Sequence, residues 1–231
     1  MAAVKLLAIE TSTEACSAAV DADGRIWARA EIAPQRHAEL ILAMCETVLA
    51  EAGLRLQDLD GLAFGRGPGA FTGVRIATGV IQGIALGTGL KVAAVSSLAA
   101  LAQGIVRAHH ATHVIAAMDA RMGEVYIGAY AELDGLVTDA SAERVGKPAE
   151  VTLPRDGAWT GAGTAFAAYE GMFRARLGDR LGAVYPQAYP LAQDVASLAV
   201  AMFARGEAVE AESALPVYLR DRVVDAPGAM P

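Results

Sequence analysis

Two acidic residues, Glu10 and Asp119, each end an apolar run and open a turn, Thr11-Ser12-Thr13 after the first and Ala120-Arg121-Met122-Gly123 after the second. Carboxylates at such strand ends can manage a metal-bound water or the counter-ion of a phosphate, and the hydroxyls of Thr11, Ser12 and Thr13 can cradle a phosphate. The same groups can instead satisfy their own turns, with carboxylates accepting from turn N–H groups and hydroxyls bonding nearby backbone. The residues leave both readings open.

A second candidate is the loop from Gly65 to Arg75, in which Gly67, Pro68, Gly69, Phe71, Thr72 and Gly73 lie between a short apolar run and a long uncharged segment. Glycines at a helix N-terminus let main-chain N–H groups approach an anion closely. Thr72 is expected to cap the helix and Pro68 to stiffen the turn. No Gly-Lys-Ser/Thr triplet follows, and Thr72 stands where a dinucleotide fingerprint needs its third glycine, so neither common phosphate code fits. The spacing favours a tight strand-to-helix turn over a phosphate cradle.

Other chemistry finds less support. His109, His110 and His113 straddle the junction of a predicted helix and strand and have no acid close by, so a solvated loop is expected there and no metal site. His37 reads as a polar residue before a helix. Cys16 and Cys45 form no CxxC pair, and Gly-x-Ser-x-Gly is absent.

The elements that must position these residues follow from the pattern. Val4 to Ile9, Cys16 to Asp21 and Arg25 to Glu31 read as a three-stranded meander with a hairpin at Asp23-Gly24. Ala38 to Ala52 has helical spacing and stops at Gly53; Leu62 to Phe64 and Val92 to Val95 read as short strands. The helix between them carries Gly79, Gly83 and Gly87 four residues apart, a stripe without side chains that suits close backbone approach. Ser96-Ser97 should cap the next helix. His113 to Asp119, Glu124 to Ala131 and Leu136 to Ala142 repeat the meander, and Gly157 to Gly163 mirrors Gly61 to Gly67, which indicates internal duplication. Helices are expected over Thr164 to Leu177 and Leu191 to Ala204, with a frayed Pro/Gly-rich tail from Asp225 to Pro231. The expected fold is therefore α/β, with two lobes of duplicated meander plus helices, at 1–108 and 109–231. That architecture resembles the actin, sugar-kinase and heat-shock ATPases (the ASKHA class).

Composition narrows the partners. With 231 residues, 54% of them hydrophobic and 19% charged, the chain can bury a large core. A net charge of -7 without a Lys/Arg run argues against gripping nucleic acid unaided. No targeting segment is apparent, and the apolar run from Ile76 to Leu90 is too short to span a bilayer, so a cytoplasmic protein with no membrane partner is expected.

The string Gly67-Pro-Gly-Ala-Phe-Thr-Gly-Val-Arg-Ile76 is similar to the signature of the TsaB (YeaZ) family. Leu7 to Thr13, Asp119 to Tyr126 and Pro216 to Arg220 resemble that family's other motifs in the same order. The resemblance spans residues 4 to about 220. It implies a non-catalytic subunit of the bacterial machinery that makes threonylcarbamoyl-adenosine in tRNA, binding itself as a homodimer, the catalytic paralogue TsaD, and TsaE through the complex. Tertiary contact with tRNA would come only through that complex. It implies a docking and dimer surface on the first-lobe helices, for which Leu40, Ile41, Met44, Val48, Arg75, Ile76, Gly79, Val80, Gly83 and Gly87 are the candidates. It also implies that Glu10, Thr11, Ser12, Thr13 and Asp119 are at most a vestigial nucleotide or phosphate site, with no resident cofactor beyond weak ATP or ADP binding at a subunit interface. TsaD carries a His-x-x-x-His metal pair where this chain has Ser97 and Leu101, so no metal is expected. The alternative reading is an enzyme, either an ASKHA-type ATPase or sugar kinase or a glycoprotease-like peptidase.

Overall fold

The computed structural model describes residues 4–220. The segment read as a frayed tail, 225–231, lies outside the described residues.

The first unit opens with β1 (Leu6–Glu10), β2 (Ala15–Ala22) and β3 (Arg25–Ile32). The hairpin between the last two turns on Asp23 and Gly24, at φ 59° and 78°, the left-handed pair that matches the twist of two adjoining strands. α1 (His37–Ala52) ends at Gly53, whose left-handed backbone returns its N–H to the carbonyls of Ala50 and Leu49. β4 (Gly61–Gly65), α2 (Phe71–Thr88), β5 (Val92–Val95) and α3 (Ser97–His109) complete the unit. Ser96 caps α3 as expected, its hydroxyl accepting from the N–H groups of Leu98 and Ala99. Thr72 does not cap α2. That helix starts two residues earlier than a Thr72 cap would require, at Phe71, with Ala70 in the capping position and no side-chain cap.

The second unit runs β6 (His113–Arg121), β7 (Glu124–Leu133), β8 (Leu136–Asp139), β9 (Arg144–Gly146), β10 (Trp159–Ala162), α4 (Thr164–Leu177), β11 (Leu181–Tyr185) and α5 (Ala192–Ala204). One sheet has the order β3-β2-β1-β4-β5, and the other β8-β7-β6-β10-β11 with β9 added against β7. In both, the meander strands pair antiparallel and the last two strands pair parallel. The duplication is thus realised strand for strand, in the two-lobe α/β plan expected. One element differs, because α1 has no helical counterpart between β8 and β10, where β9 and irregular chain stand instead.

The period of two along β1 assigns its faces. Leu7 and Ile9 pack outward with Leu62, Phe64, Ile41, Val48 and Ile81 beneath α1 and α2. Leu6 and Ala8 face inward, where Ala19, Ala63 and Ala93 meet Ala192, Ala196 and Ala199 of α5. Alanine on both sides lets that helix lie close to the sheet. α3 covers the facing side of the second sheet through Leu98, Leu101 and Ile105, and α4 closes its outer side through Phe166 and Phe173.

The two inner helices are clasped together by Arg107 of α3 and Asp194 of α5, in a fork with N–O distances of 2.8 and 3.2 Å. Asp194 is fully buried, and burial pushes its carboxyl up against the opposing pull of the guanidinium. The lobes consequently exchange material. The strands divide near residue 109, but α5 lies on the first sheet, and the chain beyond it stays there. Val209 bridges to Val92, Gln82 bonds to the Ala214 carbonyl, and the Val217 N–H donates to the Arg66 carbonyl. A boundary that gives 109–231 wholly to the second lobe does not describe this packing.

Candidate functional site

The two turns face one another across a cleft of about 770 Å³ between the lobes, lined by Ser12, Thr13, Gly69, Asp119, Arg121 and Tyr218 among others. Glu10 is not part of its surface. It is fully buried, one carboxylate oxygen accepting from the Ser12 N–H at 2.6 Å and the other from the Ser97 hydroxyl at 2.8 Å. Burial pushes its carboxyl above the ordinary 4.5, more strongly than the Ser12 and Ser97 bonds pull it down. Glu10 therefore does not pair with Asp119 across the cleft in this structure. Glu10 serves its own turn and the start of α3.

Asp119 stays half-exposed and also serves its turn, accepting from the Arg121 N–H at 2.9 Å. Its turn stands out in solvent with Arg121, Met122 and Gly123 all at positive φ, and Arg121 reaches across the cleft to Glu14 at 3.8 Å. Of the three hydroxyls in the first turn, Thr11 donates to the Gly73 carbonyl at 2.7 Å and Thr13 accepts from the Ala15 N–H at 3.3 Å. Only the Ser12 hydroxyl, buried and lining the cleft, has no partner. The sequence did not single it out from its neighbours.

The glycine loop lies on this turn. Its Ala70 N–H donates to the Ser12 carbonyl at 2.7 Å. A Cβ at Gly65 would overlap the Glu10 carboxylate, one at Gly69 the Ser12 carbonyl, and one at Gly73 the Thr11 carbonyl. These glycines are required by close packing of one chain segment on another, and the loop is a clasp, not an open phosphate cradle. His37 joins the same assembly: it is buried, with Nε2 2.8 Å from the Thr13 carbonyl, and so is more than a polar residue at a helix start.

The places matched to a metal pair do not fit one. The Ser97 hydroxyl is committed to Glu10, and Leu101 is buried in the core against Gly163. The histidines do not converge either: His109 stacks on Tyr185, His113 meets the edge of Trp159, and His110 ends α3 in a left-handed conformation. Among the described residues no group of three or more His, Cys, Asp or Glu is placed to hold a metal ion.

The candidate contact surface divides. Ile41 and Val48 are fully buried core residues, so they cannot lie on a surface between folded subunits. Leu40, Met44, Ile76 and Val80 are partly buried against that core. Gly79, Gly83 and Gly87 are exposed, with open space where each Cβ would be, and Leu42 on α1 and Leu86 on α2 are exposed as well. At the start of α2, Arg75 lies over the Phe71 ring at 3.2 Å and within 5.4 Å of the Tyr218 ring centre. This stack carries the Pro216 to Arg220 motif onto the glycine loop. Arg220 then bonds the Ala120 carbonyl and Glu124 of the second lobe, strapping the cleft. The motif was legible in sequence, whereas its bridging position was not.

Comparison with known proteins agrees with this geometry. A family model described as "TsaD: tRNA N6-adenosine threonylcarbamoyltransferase" matches residues 29–226. The tRNA threonylcarbamoyladenosine biosynthesis protein TsaB of Escherichia coli K12 is 42% identical, over 95% of this chain and 96% of that protein. A tRNA N6-adenosine threonylcarbamoyltransferase of Paracoccus denitrificans is 48% identical, but over only 30% of this chain and 19% of its own length. YeaZ from Pseudomonas aeruginosa superposes with a TM-score of 0.86 at 47% identity, covering 94% of this chain and all of that one. The match that covers nearly the whole of both chains is to the TsaB protein, while the transferase model spans most of this chain and the Paracoccus transferase shares only part of it. No helix among the described residues is long and apolar enough to cross a membrane.

Proposed function

Because the chain belongs to the TsaB (YeaZ) family, we propose that it serves threonylcarbamoyl-adenosine formation on tRNA as a scaffold, docking and activating the catalytic paralogue TsaD within an assembly that includes TsaE. The observation that carries the scaffold role is the bare outer face of α2. Gly79, Gly83 and Gly87 point at open space there, with Leu86 exposed on the same helix. Each helical glycine costs about 1 kcal/mol of helix propensity relative to alanine, and no described residue uses the room they leave. A helix of a second subunit would, and the same face serves a homodimer or the paralogue because both partners share the fold.

Two further features support a role outside the chemistry. Glu10 and Ser97 are occupied with each other, and the net charge of -7 disfavours a direct grip on tRNA. In this reading the chain works in the cytoplasm without metal or resident cofactor, and nucleotide binds weakly, at an interface with a partner. The rival ATPase reading leans on the unpartnered Ser12 hydroxyl in the cleft. ATP turnover by the pure chain, lost in Ser12→Ala, would favour it.

The deciding experiment is reconstitution. Adding the chain to TsaD, TsaE, threonylcarbamoyl-adenylate, ATP and tRNA should switch modification on, and Gly83→Glu should abolish both modification and complex formation while circular dichroism stays unchanged. Modification of equal extent without the chain, or a Gly83→Glu variant that assembles normally, would overturn the proposal.

A further inference from the structure

A second cleft, of about 720 Å³, lies between β5, the start of α3, the C-terminal end of α5 and the β7–β8 hairpin. Its size falls in the range of about 300–1,000 Å³ common for small-molecule sites. The floor is apolar, with Val95, Ala99, Val137 and Met202, and the rim is charged.

The rim contains an anomaly. Arg66 is half-buried, its Nε is buried without an acceptor, and its guanidinium enters no hydrogen bond, ion pair or ring stack among the described residues. Of the other described arginines only Arg155 is equally free, and it is exposed to solvent. A guanidinium left without acceptors is costly, about 1–3 kcal/mol or more for a charged group, and although the sealed Nε is out of a ligand's reach, the terminal NH2 groups have no described partner and can take an acceptor from the cleft. Its backbone is fixed on both sides, the N–H donating to the Val95 carbonyl and the carbonyl accepting from Val217, both at 2.8 Å. The side chain is thereby held at the cleft.

The same cleft also carries the opposite charge. Glu143 uses one oxygen to accept from the Tyr130 hydroxyl at 2.7 Å and from the Ser96 hydroxyl, leaving its second oxygen without a described partner. The Asp139 carboxylate, also on the cleft, enters no hydrogen bond or ion pair among the described residues, while Arg205 is already paired with Glu207 at 2.6 Å. The cleft therefore holds one unpaired cation and unpaired carboxylates that do not reach it, with an apolar floor beneath.

We propose that this cleft binds a free α-amino acid. Its carboxylate takes the fork of Arg66, its ammonium faces Asp139 and Glu143, and its side chain lies on the apolar floor. A simple anion would satisfy Arg66 but meet repulsion from the acidic wall, and a simple cation would leave Arg66 unpaired; a zwitterion answers both. The proposal is independent of the scaffold reading, since the α2 face takes no part in it.

The test is calorimetric or NMR titration of the full chain with each of the common amino acids, with acetate and ethylammonium as the separated halves. At least one amino acid should bind saturably, with acetate and ethylammonium at least about tenfold weaker. Arg66→Gln and Asp139→Asn should each weaken it about tenfold or more with an unchanged fold, and Arg66→Lys, which keeps charge without the fork, should fall between. No saturable binding of any amino acid up to about 10 mM would overturn the proposal. So would acetate binding as tightly as the amino acid, or affinity indifferent to both Arg66 variants.

Discussion

Two sets of glycines follow one another along the chain and exist for opposite reasons. Gly65, Gly69 and Gly73 face inward, each where a Cβ would collide with Glu10, Ser12 or Thr11. Gly79, Gly83 and Gly87, further along α2, face outward, and a Cβ on any of them would meet nothing within 4 Å. The first set is explained by this chain alone. The second costs helix propensity and meets no other group among the described residues, which is what the proposed partner surface would account for. A residue type read in isolation does not separate these cases; the surroundings of the missing Cβ do.

The comparison is sharpest when one substitution is made at both kinds of site within the same helix. Gly73→Ala should destabilise the fold by about 3 kcal/mol or more despite the better helix propensity of alanine, because the obstacle is the Thr11 backbone, which cannot step aside. Urea denaturation measures it, and a neutral result would mean that the clasp is looser than described. Gly83→Glu should leave the fold intact yet weaken self-association or TsaD binding at least about a hundredfold, or about 2.7 kcal/mol. Sedimentation of the variant checks this, and an unchanged dimer would place the interface elsewhere. Met44→Glu would be a poorer probe, since Met44 is partly buried against the core. Gly83→Ala should raise monomer stability by about 1 kcal/mol, the opposite sign to Gly73→Ala. Equal effects of the two alanine variants would erase the distinction between the sets.

A smaller effect concerns what the inward glycines enclose. The Glu10 carboxyl is raised above its ordinary 4.5 by burial. Between that value and the raised one, the native state keeps a proton that the unfolded chain has lost, so stability falls as pH rises through the window. Glu10→Gln does not titrate. Its melting temperature relative to the native chain should therefore climb as the pH rises above the ordinary 4.5. A difference that shrinks with rising pH would mean that Glu10 is held ionised.

Much of the fold was legible because local rules agree with the tertiary outcome. The Asp23-Gly24 hairpin, the Gly53 stop, the Ser96 cap and the repeated meander each follow from backbone preferences or from a period of two, which depend on neighbours in sequence. The site was legible only as a neighbourhood. Glu10 and Asp119 stand at equivalent strand ends, yet one is sealed beneath the glycine loop and the other is left in solvent, since only the first unit lays such a loop across its turn. Ile41 and Val48 share a helix with exposed Leu42, and which way α1 turns its apolar residues depends on the sheet beneath it.

The sequence by itself determined the element order, the duplication and the family, because these are matters of residue identity and short-range geometry. Tertiary structure alone decided that α5 returns to the first sheet, that Ser12 keeps a free hydroxyl where Thr11 and Thr13 do not, and that Arg66 stands unpaired at a second cleft. Each of these depends on which distant groups compete for the same hydrogen bond or the same buried space, and that competition is settled only when the chain is packed.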